Sequence, residues 1–389
     1  MKDLLYICVK NPFTQRDFER MGIEALEQHF EVRILDCTGW LMPRALRTRG
    51  YSPLRRRNLH FINSLRELRK LLENSSGGIA VDYVGPFSLK AIWLFHLLKS
   101  SGFKLMVVDS GAYPLPDTAE ITGSVIAKIL EALSNGNLQR HTTAVMNKLL
   151  LKCLPDQTPD YALVSGTSWT NNPRFSRAAT KIPAHSFDYE KYLQLRMLPE
   201  DQGYDYAVYL DEDIADHEDN AEMGLKAPVS AHRFFGALTK FFDEFEAVSH
   251  TPIVIAGYPS ERSDRSRYFG GRKLIYGKTA QLMRSAKVVF AHASTAISYA
   301  VLWRRPLVFL TSNEMTNSWY QPWIEAPRRI LKSPILNIDD TAGKISNTEW
   351  QEIDRDGYGR YEQAYIKSEG SPETSLWDIF LSVKTESGS

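Results

Sequence analysis

The stretch KVVFAHASTAISYAVLWRRPLVFLTSNE, residues 287–314, decides the fold. Val288, Val289 and Phe290 form a short, β-prone apolar run. A polar turn, His292-Ala293-Ser294-Thr295, follows at once. Residues 296–303 then carry a helical pattern that Pro306 ends, and a second apolar strand begins beyond it. Strand, turn, helix, strand is one βαβ unit. Its turn lies at the carboxyl end of a strand, where α/β proteins bind their ligands. Ser294 and Thr295 have two readings there: caps of the helix, or hydroxyls that seat a phosphate beside free backbone N–H groups.

Working outward, the same alternation recurs along the chain. Strands are expected at LLYICV (4–9), EVRILDC (31–37), GIAVDYVG, KLMVVDSG (104–111), YALVSG (161–166) and KIPAHS (181–186). Helices are expected near 16–29, 59–73, 89–100, 119–133 and 142–151. A polar Pro/Gly segment at 194–205 reads as a linker. A second series follows: YAVYLDED, a long helix over 229–248, TPIVIAGYPS, KLIYG, a helix over 279–286, and the opening unit. The prediction is α/β, two Rossmann-type domains with doubly wound parallel sheets facing an interdomain cleft, as in the GT-B arrangement. The expected divisions are an acceptor domain 1–197, a donor domain 204–316, and a C-terminal helical segment 317–389 packing back across the junction.

Composition narrows the function classes. The chain has 389 residues, 43% of them hydrophobic and 24% charged, which is ordinary for a soluble protein of two or three domains. A net charge of +1 argues against a nucleic-acid binder. Cys8, Cys37 and Cys153 are widely spaced, fitting neither a disulfide framework nor a metal motif. The first residues read as a strand rather than a signal peptide, and no apolar run approaches a membrane span. A cytoplasmic location is expected, at or near the inner face of the cytoplasmic membrane.

Four clusters carry candidate chemistry. In VYLDEDIADHED (208–219), Tyr206, Val208 and Leu210 share one strand face and deliver Asp211, Glu212 and Asp213 to the strand end, with His217 just beyond. Asp211 is a candidate nucleophile or base, and His217 a proton-transfer partner or phosphate ligand. An acidic surface loop and an Asp211/Asp213 metal clamp are the rival readings. In the second cluster, Tyr258, Pro259, Ser260, Lys278 and Thr279 follow the strand IVIA and can hold an anion, although Walker A spacing is absent. The third places His185, Ser186 and Asp188 at a strand end beside the expected cleft, with Ser165 and Gly166 at the end of the neighbouring strand. The fourth runs from Arg44 to Asn58, RALRTRGYSPLRRRN, with six arginines in a loop. It suits anionic lipid headgroups, a phosphorylated lipid-linked acceptor, or plain solvent.

In this order the motifs resemble the bacterial retaining β-Kdo glycosyltransferases of surface-polysaccharide (O-antigen or capsule) synthesis. The resemblance covers roughly 181–314: AHSFDYEKYL, YLDEDIADHED, a long helix ending FFDEFE, VIAGYPS, and GKTAQLMRSAKVVFAHASTAISYAVLWRRPLVFL. The first 180 residues share only the architecture.

The resemblance implies a CMP-Kdo donor bound by the C-terminal domain and a lipid-linked glycan acceptor. It implies retention through a covalent intermediate on Asp211, with Glu212 and His217 positioning or shuttling protons. Tyr258, Pro259, Ser260, Lys278, Thr279, His292, Ser294, Thr295 and Ser298 make up the expected donor site. No metal and no cofactor is expected, since helix N-termini, hydroxyls and Lys278 can stabilise a departing monophosphate. The chain departs from many relatives at Tyr258-Pro259, where they carry His-Pro, and His292 is the residue placed to compensate. Transfer of another CMP-nonulosonic acid and a CDP-alcohol phosphotransferase of the teichoic-acid type are the alternatives. The polar end SVKTESGS suits either a whole protein or a module of a larger synthase.

Overall fold

The computed structural model describes residues 2–43, 46, 54–73, 75, 77–86, 88–116, 157–199, 205–217, 220, 225–258, 265–341 and 351–386. The helices expected at 119–133 and 142–151, Cys153, Pro259 and Ser260, and most of 44–53 lie outside them. The chain divides into two compact units. One comprises Met1–Ser110, Val125–Phe187 and Gly370–Ser389; the other comprises Gly111–Ser124 and Asp188–Glu369.

The first unit is built on a parallel sheet of seven strands, ordered β3-β2-β1-β4-β5-β6-β7. These are β1 (Asp3–Val9), β2 (Phe30–Asp36), β3 (Leu59–Phe61), β4 (Gly78–Asp82), β5 (Phe103–Val108), β6 (Tyr161–Ser165) and β7 (Thr180–Ala184). Alternation along β1 sends Leu5, Ile7 and Val9 to one face and Tyr6 and Cys8 to the other. The first face is covered by Leu376, Trp377, Ile379 and Phe380 of the terminal helix, and the second by Leu94, Phe95 and Leu98 of the helix Leu89–Ser100. Gly78 is required where β4 begins: its φ is +150°, and a Cβ there would lie 2.2 Å from the Leu4 carbonyl oxygen.

Two expectations are corrected in this unit. The helix predicted over 59–73 opens instead with the edge strand β3, and its helical part is Leu65–Leu72. Ser64 explains the break, since its hydroxyl accepts the Glu67 N–H at 3.2 Å and caps the helix. The C-terminal residues do not form one segment with 317–369. The helix Leu376–Glu386 completes the first core, and everything from 317 to 369 belongs to the second unit.

The second unit carries a parallel six-stranded sheet, β10-β9-β8-β11-β12-β13. Its strands are β8 (Ala207–Leu210), β9 (Ile253–Gly257), β10 (Leu274–Tyr276), β11 (Val289–Ala291), β12 (Leu307–Thr311) and β13 (Ile335–Asn337). β13 was not foreseen, because residues beyond 317 read as helical. The helix Ala231–Ser249 buries Phe234, Phe235, Leu238, Phe241, Phe242 and Phe245. Their spacing makes one apolar stripe, and Phe241 and Phe245 both meet the Phe290 ring edge-on, at 5.2 and 4.9 Å. Each buried phenylalanine contributes about 1.5–3 kcal/mol. The opening motif is β11, the helix Ile297–Leu302 and β12, so the βαβ reading holds. Its helix starts one residue late, with Ala296 at the cap and no capping side chain.

From β8 the chain moves outward to β9 and β10 on one side, then crosses to β11 on the other. The carboxyl ends of β8 and β11 therefore flank the topological switch point, where open α/β sheets bind ligands. These two parallel-sheet domains, of seven and six strands, make the fold α/β and GT-B-like.

Candidate functional site

A cavity of about 410 Å³ opens at that switch point. Glu212, after β8, Tyr258, after β9, Ala293, Ser294 and Thr295, after β11, and Trp319 and Tyr320, beyond β12, are among its lining residues. His217, Asn220, Ile214 and Pro228 complete the wall.

The three acids that follow β8 face two ways. Asp211 and Asp213 turn to Arg265: its Nη1 donates to Asp211 Oδ2 at 2.8 Å, and its Nη2 lies 3.0 Å from Asp213 Oδ1. All three side chains are buried. Asp211 also accepts the N–H groups of Asp213 at 3.1 Å and Tyr258 at 3.3 Å. Asp213 sits at φ +52°, in the left-handed region that Asp tolerates better than most residues. Asp211, the expected nucleophile, does not line the cavity. The Asp211/Asp213 pair, which a metal clamp would use, holds a guanidinium.

Glu212, between them, faces the other way. Its carboxyl accepts the N–H of His292 at 3.1 Å, the N–H of Ala293 at 3.2 Å, and the Tyr320 hydroxyl at 2.5 Å. Burial pushes its pKa up to about 7, against those three donors, which pull it down. A carboxyl that titrates near neutrality beside a cavity suits general acid–base work. The Tyr320 hydroxyl can donate to the carboxylate or accept from the acid, so both protonation states keep a partner.

His292 does not compensate for Tyr258 as a cation. Its ring is fully buried against Phe234 and Tyr209. Nδ1 lies 2.7 Å from the Leu310 carbonyl and carries the hydrogen, while Nε2 accepts from the Tyr209 hydroxyl at 3.0 Å. Burial drives its pKa down to about 4, so the ring is neutral. What His292 offers the site is its backbone N–H.

The remaining candidates separate clearly. His217 and Tyr258 both line the cavity, their rings 5.1 Å apart. Ser294 and Thr295 line it too, and the Ser294 hydroxyl also accepts the Ala296 N–H at 3.3 Å. Ser298 is buried and donates to the Thr295 carbonyl at 3.0 Å. Lys278 is exposed at the cap of the helix Thr279–Arg284, and neither it nor Thr279 lines the cavity. Ser165, Gly166, His185 and Ser186 belong to the first unit, where the His185 Nε2 lies 2.8 Å from the Thr374 carbonyl. Asp188 falls in the first turn of the helix Phe187–Arg196.

Trp319 and Tyr320 were missed, because WYQPW was read as part of a separate helical segment. The signal was present: an aromatic pair between a strand end and a Pro-started helix. Trp319 is held by its indole N–H on the Lys226 carbonyl at 3.0 Å, and Tyr320 precedes the helix Gln321–Leu331. Arg265 was also missed as the partner of the acids, since no local spacing ties it to residue 211.

No protein-family model and no curated protein sequence matches the chain. Among solved structures, all of the chain aligns with 97% of a Listeria monocytogenes protein assigned as a UDP-N-acetylglucosamine 2-epimerase, at 12% identity and a TM-score of 0.51. Two variant forms of the wall teichoic acid polymerase TagF align over 90% of their length with 99% and 100% of the chain, at 10% and 11% identity and a TM-score of 0.51. At such identities the likeness is one of fold, and that fold is GT-B-like.

Proposed function

We propose that the chain is a glycosyltransferase working from the Glu212 cavity, with a CMP-activated ulosonic acid, Kdo in the first instance, as donor and a glycan as acceptor. The observation that carries the reading is Glu212 itself: a carboxyl poised near pH 7 at the switch point of a GT-B-like domain. The order of motifs from 181 to 314 supports the choice of donor.

In this reading Glu212 takes the proton from the attacking acceptor hydroxyl. The hydroxyl oxygen bonds to the anomeric carbon as the bond to the CMP phosphate breaks. His217, Asn220 and the hydroxyls of Ser294 and Thr295 are the lining groups available to the departing phosphate. A covalent route through Asp211 requires its pair with Arg265 to open. With that pair closed, the geometry favours direct displacement by the acceptor, and Asp211 acts by positioning the strand end.

The test is CMP release from CMP-Kdo with a glycan acceptor, with product configuration read by NMR. Glu212→Gln should slow release by about 100-fold or more. Wild-type turnover in that variant would remove Glu212 from the chemistry. A Kdo adduct on Asp211, seen by mass spectrometry, would restore the covalent route. Consumption of CDP-glycerol in place of CMP-Kdo would move the chain to phosphotransfer.

A further inference from the structure

Outside the site, the described part of the arginine run forms a second surface. Arg55, Arg56 and Arg57 are exposed. With Leu54 and Phe61 they line an open hollow of about 500 Å³ beside the edge strand β3. Phe61 leaves 47% of its surface exposed, large for a phenylalanine. Arg56 lies over the Phe18 ring at 3.6 Å, and none of the three arginines pairs with a carboxylate among the described residues. The run is anchored at its end, where the Asn58 amide donates to Glu27 at 2.7 Å.

Charge decides what this surface meets. Residues 44–58 hold six arginines and no acid, in a chain whose net charge is only +1, so the rest of the molecule is net negative. An anionic bilayer attracts the exposed guanidinium groups of Arg55, Arg56 and Arg57. Guanidinium groups pair with phosphates through paired N–H donors, and an exposed phenylalanine beside them suits the interfacial layer. No helix among the described residues is long and apolar enough to cross a membrane. We propose that Leu54–Arg57 and Phe61 form a docking surface for an anionic phospholipid bilayer, independently of what the Glu212 cavity binds.

The experiment is flotation of the full chain with phosphatidylcholine vesicles, with and without phosphatidylglycerol, at low and high salt. Binding should require phosphatidylglycerol and fall with salt. Each basic residue near such a surface is worth roughly a fivefold change in partitioning. Arg55→Gln/Arg57→Gln should therefore bind about 25-fold more weakly while melting as the wild type does, because neither side chain has a carboxylate partner among the described residues. Equal binding to both vesicles, or an unchanged affinity in the double variant, would overturn the proposal. So would competition by inorganic phosphate at matched ionic strength, which would make this a site for a soluble phosphate ligand. RNA binding that the same variant loses, without vesicle binding, would overturn it in favour of nucleic acid.

Discussion

The backbone N–H of His292 donates to Glu212 at 3.1 Å while its ring turns away, to the Leu310 carbonyl and the Tyr209 hydroxyl. One residue thus supports the cavity carboxyl with its main chain and closes the apolar floor with its side chain. The two side chains are shifted in opposite directions by the same cause, removal from water. Glu212 rises from 4.5 to about 7, and His292 falls from 6.5 to about 4.

These shifts predict opposing pH dependences. Between pH 4.5 and 7 the folded state holds a proton on Glu212 that the unfolded chain has released. Its contribution is full below 4.5 and is lost as pH rises through 7. Between about 6.5 and 4 the unfolded chain protonates His292 and the folded protein does not, so that contribution is full above 6.5 and is lost on acidification. In the overlap the two slopes cancel. Glu212→Gln should leave the positive slope exposed, up to about 1.4 kcal/mol per pH unit. The difference between wild type and variant should change by about 3 kcal/mol from pH 4.5 to 7. Urea denaturation across that range measures it. An imperfect fit of the amide shifts the variant's whole curve but leaves its slope unchanged, so a constant difference would count against the raised Glu212 pKa.

Tyr320 is expected to restrain that shift. Its hydroxyl is the strongest of the three donors that oppose burial at Glu212. Tyr320→Phe removes it and should move the Glu212 titration further upward, so the acidic limb of a CMP-release profile, which the ionisation of the base sets, shifts to higher pH. A loss of rate with an unmoved limb would instead mark Tyr320 as cavity wall alone.

Arg265 should matter for stability more than any exposed arginine. Arg265→Met strands two buried carboxylates, Asp211 and Asp213, without their cation. The expected cost is about 3–5 kcal/mol, because breaking one side of a buried pair leaves a charge uncompensated. Asp211→Asn should then cost less in the Arg265→Met background than in the wild type, and a double-mutant cycle by urea denaturation reads the coupling. An additive cycle would mean that the pair contributes nothing as a pair.

What the sequence made legible follows from periodicity. Apolar runs separated by helices revealed both parallel sheets, and the LDED strand end pointed to the cavity carboxyl. Three adjacent acids at a strand end look alike in the sequence, which does not say which of them faces the cavity. That choice rests on Arg265, more than fifty residues away. His292 looked like a spare cation because a strand-end histidine reads the same whether its ring faces solvent or Phe234. The short strands β3 and β13 hid inside helical patterns, three residues each being too few to show alternation.

The helix Ala231–Ser249 offers the sharpest check on the second unit's core. Phe245 is buried between Phe241 and Phe290, the latter met edge-on at 4.9 Å, whereas Val248, three residues on, is 52% exposed. Removing the Phe245 ring loses its transfer energy and leaves a void that the β11 floor cannot fill, so Phe245→Ala should cost about 3–5 kcal/mol. Val248→Ala removes a side chain already in water and should change stability by less than about 0.5 kcal/mol. Phe245→Leu keeps most of the volume and should fall between them. Because Phe290 leads directly into Ala291 and His292, the Phe245→Ala variant should also loosen the N–H groups that hold Glu212. Amide hydrogen exchange at His292 and Ala293 would then quicken with the loss of stability, while Val248→Ala leaves it unchanged. Unaltered exchange in Phe245→Ala would separate the aromatic core from the site above it.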